Sequence, residues 1–146
     1  MRHHYALILF SLLLSNGHAF AQSTVGELID GGGHQMDQAE LISLLSGKTW
    51  QTGMRGEPVR TQYATDGKFT QTVRLGTGSA FGGQNVGHFG DWVVDESGQE
   101  CQVRKDLRGG GAKRCRYWFA IGGMYFTVDD DPKDRASKLH KRTAAE

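Results

Sequence analysis

From Gly90 to Val128 the chain runs through four apolar stretches separated by turn signals: Gly90 to Val94, Cys101 to Val103, Cys115 to Ile121 and Met124 to Val128. The alternation within them predicts four consecutive antiparallel strands joined by hairpins. Gly122-Gly123 suits a two-residue type I′ turn, which pairs Ile121 with Met124, Phe119 with Phe126 and Tyr117 with Val128. Counting back by twos from Tyr117 reaches Cys115, and a hairpin centred near Arg108 sets Cys115 opposite Cys101, with Val103 and Leu107 on the same side. This row is almost wholly apolar, so it is expected to face the core and to carry a Cys101–Cys115 disulfide with it. The same register pairs Glu100 with Arg116 on the outer face, where opposite charges across a ladder add modest stability.

Upstream, Lys48 to Arg55 and Val59 to Ala64 read as strands around a Gly56-Glu57-Pro58 turn. A three-residue Thr65-Asp66-Gly67 loop then pairs Tyr63 with Phe69 and Val59 with Val73, a better apolar match than a two-residue loop allows. At Glu96-Ser97-Gly98 two registers stand: one sends Trp92 and Val94 inward with Cys101, the other sends Val93 and Phe89. Trp92 is expected inside for the area it buries. Before the strands, Asp37 and Glu40 have capping-box spacing, Leu41, Leu44 and Leu45 recur at helical spacing, and Gly47 suits a left-handed C-terminal residue. This short helix is expected to close one mouth of the sheet. Residues 22–35, with Gly31-Gly32-Gly33, read as a flexible lead-in, and 76–87 as a glycine-rich stretch that holds one irregular strand or none. Residues 131–146 carry mixed charge and only Leu139 as a large aliphatic, so they read as a disordered or loosely attached tail whose deletion leaves stability nearly unchanged.

The first residues add a compartment. An apolar Ala6 to Leu14 segment followed by Ala19-Phe20-Ala21 has the pattern of a secretory signal peptide over 1–21, and about nine apolar residues fall well short of the roughly 20 that span a bilayer. Export, periplasmic or extracellular, agrees with pairing the chain's two cysteines. Removal of that leader leaves 36–130 as one β domain, and a chain with 16 basic and 16 acidic side chains, since Arg2 is the only one of the 17 lost. This neutrality argues against a nucleic-acid binder, which needs an excess of positive charge. A monomer is expected.

Candidate chemistry is sparse. Gly76 to Gly83 lacks the Gly-Lys-Ser/Thr ending and the following helix of a phosphate loop. His88 and Asp91, three apart on a strand, point to opposite faces. His34 and His140 fall in the expected loose ends, so no metal cluster forms, no cofactor is implied and no catalytic residue is assigned. Arg104, Lys105, Arg108, Lys113, Arg114 and Arg116 crowd one hairpin, offset there by Asp106. Arg104, Arg108, Lys113 and Arg114 are candidate contacts for an anion or an acidic partner. Lys105 is the exception, because its parity sends it inward with Tyr63, Phe69, Trp92, Tyr117, Phe119 and Phe126, the candidate barrel interior.

Leu45-Ser46-Gly47 ending a helix, Tyr63-x-x-Asp66-Gly67-x-Phe69, Gly90-Asp91-Trp92, Ser97-Gly98-x-x-Cys101, the second Cys115 and the closing Gly122-Gly123 together resemble small exported bacterial proteins of unknown function with lipocalin-like barrels. The resemblance spans roughly Gln38 to Val128, and it transfers no catalytic residues. The expected fold is a mainly β antiparallel meander of seven or eight strands, closed or nearly closed as a small barrel, with one short N-terminal helix. The leading functional expectation is a non-catalytic binding or envelope-accessory protein that takes a small ligand in the barrel interior or at its rim. A protein-binding module, inhibitory in one version, that uses the basic hairpin 104–116 is the alternative, and an enzyme of unknown class is third.

Overall fold

A computed structural model describes residues 23–54, 57–76, 83–106, 111 and 113–145. Residues 1–21, expected to be a signal peptide, together with Leu107, Arg108 and residues 77–82 of the glycine-rich stretch, lie outside the described residues. The chain forms α1 (Val25–Asp30), β1 (His34–Gln35), α2 (Gln38–Leu45), β2 (Lys48–Met54), β3 (Glu57–Tyr63), β4 (Lys68–Arg74), β5 (Asn85–Val94), β6 (Gln99–Arg104), β7 (Lys113–Ile121), β8 (Met124–Val128) and β9 (His140–Ala144). Strands β2 to β9 pair in chain order and β9 pairs back to β2, so eight antiparallel strands close a barrel. β1 adds two residues to β7 beyond the point where β6 ends.

Local sequence chemistry places α2 and the hairpins at Gly67 and Gly122-Gly123 as expected, whereas Glu57 and Pro58, expected in a turn, already pair with Met54 and Gly53 as the start of β3. Asp37 accepts from the Glu40 amide while Glu40 reaches back to the Asp37 amide, which starts α2. Leu41 and Leu45 of this helix are fully buried against Trp50, Tyr63, Phe69, Trp92, Val94 and Trp118, closing one end of the barrel. Gly122 and Gly123 both take positive φ, 54° and 78°, and the hairpin pairs Ile121 with Met124, Phe119 with Phe126 and Tyr117 with Val128. The bulged turn at Gly67 pairs Tyr63 with Phe69 and Val59 with Val73. Cys101 and Cys115 face each other across β6 and β7 and form the disulfide. At Gly90 a side chain would collide with the Val103 carbonyl and the Phe69 ring, so glycine there lets β6 and the core close in.

Two expectations about the ends are corrected. The lead-in holds α1, capped reciprocally by Thr24 and Glu27. The tail supplies the eighth strand: β9 pairs with β2 at Trp50 and Gln51 and with β8 from Tyr125 to Thr127. Neither segment can bury itself alone, and each is held by the other. Val25 N–H donates to the Ser137 carbonyl, Gly26 N–H to that of Arg135 and Leu139 N–H to that of Ser23. Val25, Leu28 and Leu139 thereby cover the aromatic wall of β7 and β8 from outside.

That covering reverses a third expectation. Trp50 of β2 stacks edge-on with Trp118 of β7 at 5.3 Å, and Tyr63 of β3 meets Glu100 of β6; contacts between non-neighbouring strands cross the barrel interior. The interior row therefore runs through Glu100, Gln102, Arg114, Arg116, Trp118 and Thr127. Tyr117, Phe119 and Phe126 lie on the outer face beneath α1, and the disulfide belongs to that outer face too. Lys105 also points outward, with its side chain 53% exposed and paired with Asp91. Tyr63, Phe69 and Trp92 are interior as expected. At the 96–98 turn the register places Trp92 opposite Gln102 and Val94 opposite Glu100, while Val93 shares the outer face with Cys101. The physical reason is that β7 and β8 are apolar on both faces, so the richer apolar row packs against α1 and the mixed row faces a partly polar interior.

Candidate functional site

The barrel interior is divided along its axis. At the α2 end, Trp50, Trp92 and Trp118 with Tyr63 and Phe69 fill the lumen. Their polar atoms are satisfied: Trp92 Nε1 donates to the Ala64 carbonyl at 3.0 Å and Trp50 Nε1 to that of Leu44 at 3.4 Å. Above this floor lies an ionic layer centred on Glu100, which has no exposed surface. Tyr63 Oη donates to Glu100 Oε1 and Trp118 Nε1 to Oε2, both at 3.4 Å, while Gln102 Nε2 donates to Tyr63 Oη at 3.0 Å. Arg116 Nε is 3.1 Å from Glu100 Oε2, close enough for charge attraction, yet its N–H is not aligned to form a hydrogen bond. Arg142 Nε donates to Thr127 Oγ1 at 2.9 Å, and its guanidinium lies over the Trp118 ring, 5.7 Å from the centroid.

Burial governs the protonation of this layer. It pushes the Tyr63 hydroxyl far above its ordinary range, and the Glu100 charge adds to the effect. Arg142 is pushed down to about 10, first by burial and then by the charge of Arg116. Burial also disfavours the Arg116 charge, but Glu100, Tyr63 and Asp129 more than compensate, so Arg116 ends above its ordinary range. Tyr63 gives a direct check. An acid whose folded pKa is raised keeps its contribution below the unfolded value near 10 and loses it as pH climbs beyond, because the unfolded chain then releases the proton first. Absorbance titration of phenolate is expected to show Tyr63 un-ionised until the protein unfolds, and Tyr63→Phe to remove one late-titrating group. A full complement of tyrosines ionising near pH 10 in the folded protein would contradict the buried placement.

Beyond the ionic layer the barrel opens as a cup. A cavity of about 410 Å³ is bordered by Thr52, Val59, Gln71, Gln102, Arg104, Arg114, Arg116, Asp129, His140 and Arg142, which come from β2, β3, β4, β6, β7 and β9 and the residue after β8. At its rim Arg104 donates to both carboxylate oxygens of Asp106, at 3.0 and 2.5 Å, and holds that carboxyl well below the usual range with help from His88. His88 Nδ1 is 2.9 Å from Asp106 and 2.5 Å from Arg104. That nitrogen donates to the carboxylate when it carries a proton and accepts from the guanidinium when it does not. His88 thus has a carboxylate partner, Asp106 rather than Asp91, brought to it by the pairing of β5 with β6. Among the described residues no hydroxyl or thiol bonds to this pair, and no group of three His, Cys, Asp or Glu residues could hold a metal.

The structure separates the sequence candidates. Of the proposed anion contacts, Arg104 and Arg114 line the cup, Lys113 is exposed on the outer face opposite Val103, and Arg108 lies outside the described residues. Arg116, Arg142, His140, Gln102 and Glu100 were not candidates. Glu100 and Arg116 read as a solvent-facing pair, and Arg142 and His140 sat in the expected tail. The one signal that could have found Glu100, Gln102 and Arg116 is the run Glu100, Gln102, Arg104 with Arg114 and Arg116 opposite, a polar row too regular for a loop.

Fold and site together define a closed eight-stranded antiparallel barrel with an apolar floor, a buried ionic layer and an open cup rich in arginine. Comparison of the chain with models of known protein families, with curated proteins and with solved structures finds no match.

Proposed function

We propose that the protein is a non-catalytic, exported binding protein that holds a small ligand in the cup of its barrel. The observation that carries this reading is the 410 Å³ cavity. It is open at one end, sealed at the other by α2 and the tryptophan floor, and bordered by convergent polar side chains from five strands, β2, β4, β6, β7 and β9, as small-ligand sites are. The resemblance to small exported bacterial proteins with lipocalin-like barrels supports the same use. Export is supported by the leader-like residues 1–21 and by the disulfide, whose bond persists in oxidising compartments. Among the described residues no helix is long and apolar enough to cross a membrane. The arginines that made the basic hairpin a candidate protein contact support the interior reading more, since Arg104 and Arg114 face the cup.

Native mass spectrometry of protein purified from the periplasm tests this. The expected result is a bound small molecule that is absent from Thr52→Trp, a variant that fills the cup from one wall. Retention of the same molecule by that folded variant would move the site elsewhere.

A further inference from the structure

The charges around the cup bear on what it holds. Four guanidiniums, Arg104, Arg114, Arg116 and Arg142, border one volume and are matched by three nearby carboxylates, Glu100, Asp106 and Asp129. Asp106 is engaged at the rim by Arg104, and Glu100 is engaged from below by Arg116 together with Tyr63 and Trp118. Arg142 is 9% exposed, and among the described residues its hydrogen bond goes to Thr127 and no carboxylate lies within ion-pair distance. A guanidinium has five N–H donors, so most of this one remains for the cavity it borders. Beside it, the buried Arg116 Nε makes no hydrogen bond. Two guanidiniums confined together repel, and burial first, then the Arg116 charge, holds the Arg142 pKa below its ordinary value. An apolar residue of similar volume would fill the position at less cost, so packing does not account for arginine there.

We infer that the cup holds a small molecule by an oxoanion group, carboxylate or phosphate, seated among Arg114, Arg116 and Arg142. This rests on the cup being the ligand site. The planar fork of arginine matches two oxygens of such a group, and an anion supplies both the acceptor and the charge that this layer lacks. Thr52, Gln71 and Gln102 on the same walls offer uncharged partners to the remainder of the molecule. The volume lies at the low end of small-molecule sites, which fits a compact metabolite rather than a long lipid chain.

Calorimetric titration with succinate, glycerol phosphate and inorganic phosphate, against succinamide and glycerol as neutral counterparts, tests the inference. Both organic anions, or one of them, are expected to bind and the neutral compounds not to. Binding of inorganic phosphate alone would identify a free-ion site of the same chemistry. Arg142→Gln is expected to weaken binding by about tenfold or more. Arg114→Gln, at an exposed position that leaves the core intact, is expected to weaken it by a smaller factor and so keeps the test valid if the first variant misfolds. Equal affinity for succinate and succinamide, or wild-type affinity in both folded variants, would overturn the inference. A neutral molecule that binds and is expelled by Thr52→Trp would sink the anion and leave the cup as the site; ligands indifferent to Thr52→Trp would sink both.

Discussion

Glu100→Ala is expected to destabilise the barrel by about 3–5 kcal/mol, the range found when one member of a buried ion pair is removed. The side chain has no exposed surface and sits against Arg116, Tyr63 and Trp118. Its loss would strand Arg116 and Arg142 in the lumen without the charge that offsets them and would leave the Tyr63 and Trp118 donors unpaired. A fall of roughly 10 °C in melting temperature follows for a domain of this size. Glu100→Gln, which keeps an acceptor and loses the charge, should cost less. Combining Glu100→Ala with Arg116→Met should recover much of the loss, because removing both partners costs less than removing one. Urea unfolding of wild type, Glu100→Ala, Arg116→Met and the double variant checks the cycle, and a loss under about 1 kcal/mol in Glu100→Ala would show that the pair is hydrated rather than buried.

Deletion of residues 131–146 is expected to abolish cooperative unfolding, the opposite of what the composition of that segment suggests. Without β9, β2 and β8 become free edges with unpaired backbone groups, and the Trp50, Trp118 and Tyr125 cluster opens to water. α1 also loses the carbonyls of Arg135 and Ser137 that fix its first turn. Aggregation or a broad, non-sigmoidal melt would agree. An unchanged melting temperature would show that seven strands suffice and that β9 is dispensable.

These expectations also show what could be read from the chain. Hairpin registers were legible because turn chemistry is local: Gly67 and Gly122-Gly123 set Tyr63 against Phe69 and Phe119 against Phe126 without reference to the rest of the fold. The capping residues of α2 were legible for the same reason. Facing was not. Parity states which residues share a side and not which side is inside, and on β7 and β8 both rows are apolar enough to serve. The deciding fact is the docking of Val25 and Leu28 on the outside, made by a helix of six residues, too short for a periodic signal. β9 was missed because its pattern, His140 to Ala144, holds one buried residue, and that residue is an arginine. A rule that keeps charge outside therefore hid the site itself.

Under the proposed binding function, the separation of floor from cup assigns different residues to persistence and to selectivity. Folding depends on the tryptophan cluster, α2 and the Glu100 layer, whereas Thr52, Gln71, Arg114 and His140 stand at the mouth, away from the packed floor. Substitutions at those mouth positions can change the shape and charge presented to a visitor while the lower half of the barrel is left alone. If the proposed ligand site is the cup, a barrel divided in this way can be retargeted from one compact molecule to another by a handful of exchanges, each close to neutral for folding.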